Sequence, residues 1–327
     1  MSAQSTATGP AFAPLPRGLA WGALGVLAFS LSLPTTQVAV RELGPVFATA
    51  GRGVGAAGLA AVYLASRRAR LPDRELLPGL LVVAAGVVLG FPLFTALALE
   101  RTDSAHGAVI VGLLPAATAV VGVRRTGERP SPAFWLSCAA GALAVAVFAV
   151  VRGSGLPTPA DGLTVLAVLA AAAGYAEGAR LAPRIGSDQV ICWALLLSLP
   201  LLAPVLLFDV VRATPTSDAA GWACFAYTAA VSMFLGFFAW YRGLTLGGVA
   251  KVSQVQLAQP LLTVAESAVL FGQPLEPAVV VTALAVLACV AAAQRSRVAT
   301  AHGKADRAAL PAPVPARPGC RARCTCE

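Results

Sequence analysis

The sequence predicts an all-α integral membrane protein: ten transmembrane helices arranged as two inverted five-helix repeats. Three observations carry this. Of the 327 residues, 57% are hydrophobic and 12% are charged, with a mean hydropathy of +0.77, whereas soluble domains carry about 25% charged residues. Ten apolar runs are each close to the ~20 residues that a membrane helix needs. A stretch in the first half also recurs in the second. So little charge cannot cover a water-facing surface, which excludes a cytosolic enzyme, a DNA-binding protein and, away from the two ends, a disordered chain.

The elements follow in order. Residues 1–17 are polar and contain proline, and read as a cytoplasmic N-terminal segment. The apolar run after them is longer than a signal-peptide core, so it is expected to stay as the first helix. Spans are expected at 18–40, 46–65, 77–99, 106–123 and 133–151, and then at 163–182, 190–208, 222–241, 252–271 and 278–294. Their connections are short and rich in Pro, Gly or charge. Two halves result, 18–151 and 163–294, followed by an Ala/Pro/Arg-rich tail, 295–327, read as disordered and cytoplasmic.

Basic residues fix the expected orientation. With the N-terminus inside, 19 Lys and Arg fall on the inner side, 4 on the outer side, and Arg52 within a span. Basic loops are retained in the cytoplasm, so both termini are expected there, in a multi-pass protein of the inner (plasma) membrane. The net charge of +9 therefore reads as topology, with no nucleic-acid partner. Cys138, Cys192, Cys224 and Cys289 lie singly in apolar runs, as small hydrophobes do. Cys320, Cys324 and Cys326 lack further ligands to complete a tetrahedral set, so no metal is expected.

Residues 106–132 and 251–277 align without a gap at an offset of 145, matching Pro115 with Pro260, Thr118 with Thr263, Gly127 with Gly272 and Pro132 with Pro277. An odd number of spans per half makes the second half insert upside down. Inverted repeats that exchange conformations are a recurring basis of alternating access.

Span nine carries the best constellation. Gln256, Gln259, Thr263 and Glu266 are spaced 3, 4 and 3 apart, on one helical face. Lipid would leave them without partners, so the face points inward, as a solute-contacting wall or as a polar seam between helices. Glu266 either carries a proton during the cycle or fixes packing; its repeat counterpart, Val121, is no acid. Arg52, in span two, either ligates a substrate carboxylate or snorkels to the interface. Pro34, Pro92, Pro115 and Pro260 are expected helix breaks; after Pro34, Thr36 and Gln37 offer hydrogen-bonding groups. Tyr175 and Phe94 are aromatic wall candidates. Trp240 reads as wall or gate, or as interfacial belt and packing. Glu177 and Arg180, three residues apart, read as a helix-end ion pair. Small residues at Gly18, Gly22 and Gly25 read as close helix contacts.

Residues 236–263, GFFAWYRGLTLGGVAKVSQVQLAQPLLT, are similar to the corresponding stretch of EamA-type bacterial members of the drug/metabolite transporter superfamily. The paired five-helix layout and the Gly-Glu-x-Pro-like ends of spans four and nine resemble that group too, over about residues 18–294. One departure stands out, since Gln273 occupies the place where the second unit usually has Glu. The resemblance implies a secondary transporter exporting amino acids, metabolites or drugs by rocking of the two units. No phosphate-cradling G-x-x-x-x-G-K-[ST] loop is present for ATP hydrolysis, and no cofactor is implied. The expected partners are a small-molecule solute and the lipid bilayer, and a homo-oligomer is compatible with the pattern. A channel-like facilitator remains the alternative. A membrane-embedded enzyme is disfavoured, because the chain has two histidines and no catalytic motif, so no catalytic residues are expected.

Overall fold

A computed structural model describes residues 17–299 except 103, 127–128, 153–157, 213, 272–276 and most of 278–297. The expected N-terminal segment up to residue 16, most of span ten, the pairs Gly127–Glu128 and Gly272–Gln273, and the tail cysteines lie outside the described residues.

The described chain is helical almost throughout. Helices α1 (Arg17–Ser30) and α2 (Ser32–Leu43) form one long rod, followed by α3 (Pro45–Ser66). A third rod joins α4 (Leu77–Val83), a π-helical segment Ala84–Gly90 and α5 (Phe91–Leu99). Then come α6 (Ser104–Val111), α7 (Leu114–Thr126), α8 (Pro132–Arg152), α9 (Pro159–Ile185) and α10 (Ser187–Arg212). Helix α11 (Ala219–Ala226), a second π segment Tyr227–Leu235 and α12 (Gly236–Gly247) make another long rod. Helix α13 (Val249–Ser253), a 3-10 stretch Gln254–Ala258 and α14 (Gln259–Phe271) follow.

Among the described residues, 6 helices are long and apolar enough to cross a membrane: Arg17–Leu43, Pro45–Ser66, Arg74–Leu99, Pro159–Ile185, Ser187–Arg212 and Ala219–Gly247. The expected fourth and ninth spans are broken into shorter helices, and the fifth is α8. A two-residue antiparallel pairing joins Arg129–Pro130 to Val298–Ala299, tying the loop after α7 to the beginning of the expected tail.

Local chemistry explains the starts and turns. Thr158 and Asp161 form a capping box at α9, with the Thr158 backbone N–H donating to Asp161 at 2.7 Å. Asp218 accepts from the Gly221 N–H at 2.7 Å and caps α11. Gly44, Gly186 and Gly248 sit at φ +81°, +95° and +82°, a region that only glycine enters without strain. Each makes the same turn: its N–H returns to the carbonyl four residues back, at Val40, Ala182 and Leu244.

The repeat is written into these features to the residue. Helices α7 and α14 are both 13 residues long, and both ends match at the 145-residue offset. The π segments end at Gly90 and Leu235, again 145 apart. In the first two spans of each half the offset is 142, as between Gly44 and Gly186. Packing crosses the halves head to tail. Helix α1 lies on α12 while α2 lies on α11; α7 meets α13 while α6 meets α14; α3 runs along α10. The α1–α12 seam is glycine-faced: a Cβ on Gly18 would stand 2.6 Å from Gly247. No side chain fits there, so two backbones approach as small-residue membrane interfaces allow.

Candidate functional site

The breaks in the helices converge. Pro34 lacks an N–H, so the carbonyl of Ser30, four residues back, loses its helical partner. The hydroxyl of Thr263 donates to that carbonyl at 2.7 Å, and the Gln259 amide donates to Phe29 O at 3.4 Å. Span nine is thus stitched to the break in span one. Pro92 follows the first π segment; Pro115 and Pro260 occupy the second position of α7 and α14, behind the break at 112–113 and the 3-10 stretch.

Where the broken segments meet, they surround a narrow cavity of about 20 Å³. Its polar lining is Ser32, Arg52, Tyr175, Ser232, Gln256 and Gln259; Phe29, Phe91, Phe237 and Met233 are among its apolar walls. Ser32 and Ser232 share a short hydroxyl–hydroxyl hydrogen bond. The Gln256 amide donates to the Gln259 carbonyl oxygen at 3.1 Å.

Arg52 dominates the chemistry. It is 4% exposed, which excludes snorkelling to an interface. Its one hydrogen bond among the described residues is from Nη1 to the Thr36 hydroxyl at 3.3 Å, and its Nε has none. Among the described residues, no acid lines the cavity. A guanidinium cannot discard its charge, and a buried charge without a partner is costly. The site therefore has an unmet demand for an anion.

An aromatic layer closes the cavity toward the end of the bundle that carries the basic loops. Tyr175 packs on Trp240 and Phe237 with centroids 5.4 and 5.9 Å apart, and Phe237 on Tyr241 at 5.5 Å. Trp240 and Tyr241 are fully buried, inside the bundle and away from an interfacial belt. Tyr241 donates to Gly174 O at 3.2 Å; any side chain at Gly178 would collide with its ring. One turn further out, Glu177 accepts from Arg180 Nε at 3.0 Å and lies 3.6 Å from Arg125. The expected Glu177–Arg180 pair is present, and Arg125 extends it to α7.

Of the expected site residues, Arg52, Tyr175, Gln256 and Gln259 line the cavity. The others do not. Thr36 is buried behind Arg52, and Gln37 is buried one turn beyond Leu33. Phe94 is half-buried, one turn past Phe91. Trp240 lies beneath the cavity. Thr263 and Glu266 sit on α1: Ser30 Oγ donates to Glu266 Oε1 at 2.7 Å, while Oε2 is buried without a partner. The face of span nine is thus a wall at one end and a seam at the other. Ser32, Ser232, Phe29 and Met233 are lining residues outside the expected set. The repeat register locates some of them: Val87 and Ser232, and Leu114 and Gln259, are pairs at offset 145, and Phe29 with Ala171 and Leu33 with Tyr175 are pairs at 142; all eight line the cavity.

Comparison with known proteins bears on the family and the two-unit layout. The family model described as EamA-like transporter family matches twice, over residues 16–150 and 158–293. An uncharacterized transporter of Bacillus subtilis (strain 168), YdeK, is 46% identical over 274 residues, spanning 84% of this chain and 96% of that protein. A solved crystal structure shares the fold with a TM-score of 0.67 at 17% identity, covering 85% of this chain and 98% of its own.

Proposed function

The chain belongs to the EamA-like transporter family, which makes it a multi-pass membrane transporter of the drug/metabolite type, and on that premise we propose that it is a secondary exporter of small organic solutes bearing a carboxylate. The observation that carries the solute class is Arg52, a buried guanidinium facing a cavity with no acid among its described lining residues. A solute carboxylate would take two N–H groups of that fork. The amides of Gln256 and Gln259 offer further hydrogen bonds, and the aromatic rings offer apolar walls.

Two inverted five-helix halves, ten spans in all, rock about this cavity in alternating access. The matched helix bounds at offset 145 and the head-to-tail crossings of α6 and α7 with α14 and α13 support that reading. The aromatic layer and the Glu177–Arg180–Arg125 cluster are its gate on the basic-loop side, placed in the cytoplasm of an inner-membrane protein with both termini inside. Glu266, with one bonded and one unpartnered oxygen, is the proton carrier that couples export to the gradient.

The test is efflux from reconstituted vesicles across a panel of carboxylates, amines and neutral solutes under an imposed pH gradient. Gradient-driven efflux of carboxylates is expected. Flux at the protein-free leak for every class would contradict the proposal, and flux that ignores the gradient would make the protein a facilitator. Impermeant cysteine labelling from outside is expected to reach the loop at 100–105 but not the one at 124–132; the reverse pattern would overturn the orientation.

A further inference from the structure

A second recess, separate from the central cavity, lies between α1, α3, α10 and α12 at the end of the bundle carrying the basic loops. It is an open groove of about 480 Å³, lined by Trp21, Tyr63, Arg67, Ser187, Asp188, Phe238, Arg242, Thr245 and Leu246. We propose that this groove binds the phosphate of an anionic phospholipid headgroup, with an acyl chain running along the α1–α12 seam.

Charge and shape point to this occupant. Arg242 is exposed and stacks its guanidinium over Trp21, with Cζ 4.6 Å from the ring centroid. Arg67 stands over Tyr63 at 5.7 Å and is exposed as well. Asp188 is the one acid among the described lining residues, and its Oδ2 accepts from the Tyr63 hydroxyl at 2.6 Å. Arg67 Nε donates to the same Tyr63 hydroxyl at 3.5 Å, so two exposed guanidiniums stand in a groove with one acid, which is tied to Arg67 through Tyr63. Arg17 precedes Trp21 by one helical turn on the same face of α1 and adds a cation near the mouth. Clustered arginines between helices at a membrane surface are a fitting seat for an anionic headgroup, and an indole that is apolar on its faces suits the interface.

The route for the acyl chain continues from the same residues. Leu24 lies one turn beyond Trp21 on α1, and Leu235 lies two turns before Arg242; they are 52% and 52% exposed. Leu246, in the groove itself, is 56% exposed. Leu24 and Leu235, on the bilayer side of Trp21 and Arg242, are the exposed apolar side chains along this route, and Leu246 stands on the other side of Arg242, at the groove.

The set is not inherited from the repeat. The positions related to Trp21 and Asp188 by the 142-residue offset are Leu163 and Val46, and the one related to Arg242 by 145 is Leu97. The repeat-related positions at the opposite end therefore carry neither the indole, the acid nor the arginine of this groove, and the Arg212–Phe208 stack there, at 4.1 Å, is built from other positions.

The experiment uses the full chain in bilayer discs of phosphatidylcholine doped with dibrominated phosphatidylglycerol or dibrominated phosphatidylcholine. The Trp21 fluorescence is taken as the difference between the protein and Trp21→Phe. Stronger quenching by the brominated anionic lipid is expected, and Arg242→Gln should lower that preference about fivefold, the effect of one basic residue at an anionic surface. Asp188→Asn should raise the preference, a gain that misfolding does not mimic. Equal quenching by the two lipids, or an unchanged preference in both variants, would overturn the proposal. So would relief of the quenching by millimolar glycerol 3-phosphate, which would assign the groove to a soluble phosphate ester. Transport is not read here, so the result stands apart from the fate of the exporter reading.

Discussion

The two halves share their architecture and divide the chemistry. Helices α7 and α14 have the same length and the same proline, yet the position before the proline is Leu114 in one and Gln259 in the other, and both face the cavity. The π segments repeat the contrast, with Val87 against Ser232. Span two reverses it: Arg52 of the first half corresponds to Ala194 of the second. The repeated backbone builds the hollow, and the unmatched side chains decide what fits it. The first half supplies the charge, and the second supplies most of the neutral hydrogen-bonding groups.

The largest expected effect comes from erasing the charge that only the first half carries. Arg52→Gln should cut carboxylate flux about a hundredfold, the scale of a desolvated charge-assisted pair, while protein yield is kept; a small effect on flux would detach the cavity from transport. Next is Glu266→Gln, which should remove the response to an imposed pH gradient while downhill exchange persists. An unchanged response would take this acid out of the coupling. Making the halves alike at one position is a finer test. Gln259→Leu should lower apparent affinity about tenfold, and Leu114→Gln should change it far less; equal effects would mean that the halves are interchangeable at the solute. Smallest is Thr263→Val, which strands the Ser30 carbonyl freed by Pro34. It should cost about 1 kcal/mol of stability, read by denaturation in detergent, with little change in affinity. A large affinity loss would bring Thr263 into the binding wall.

Much of this was legible from particular residues. Hydropathy located the rods, and the spacing of Pro115 and Pro260 located the repeat. Arg52 stood out because a guanidinium in a span must find an anion, water or the interface, and its burial removes the interface. The polar face of span nine was legible as a face, but not as two regions. A helix rises ~1.5 Å per residue, so Glu266 lies ~10 Å along the axis from Gln259, beyond the cavity and level with Ser30. The π segments left no sequence signal of their own, since the second has no proline within it. Ser32 and Ser232 are ordinary residues in membrane helices; only the meeting of two helices 200 residues apart in sequence makes them a pair. Trp240 was ambiguous because a tryptophan near a span end suits both a belt and a core, and the close approach of α1 at Gly25 buries it.

The most direct measurement pairs each carboxylate solute with its neutral amide in vesicles containing the protein or Arg52→Gln. The account predicts that the protein moves the acid far faster than the amide and that the variant loses this discrimination. Equal discrimination in both proteins would contradict it.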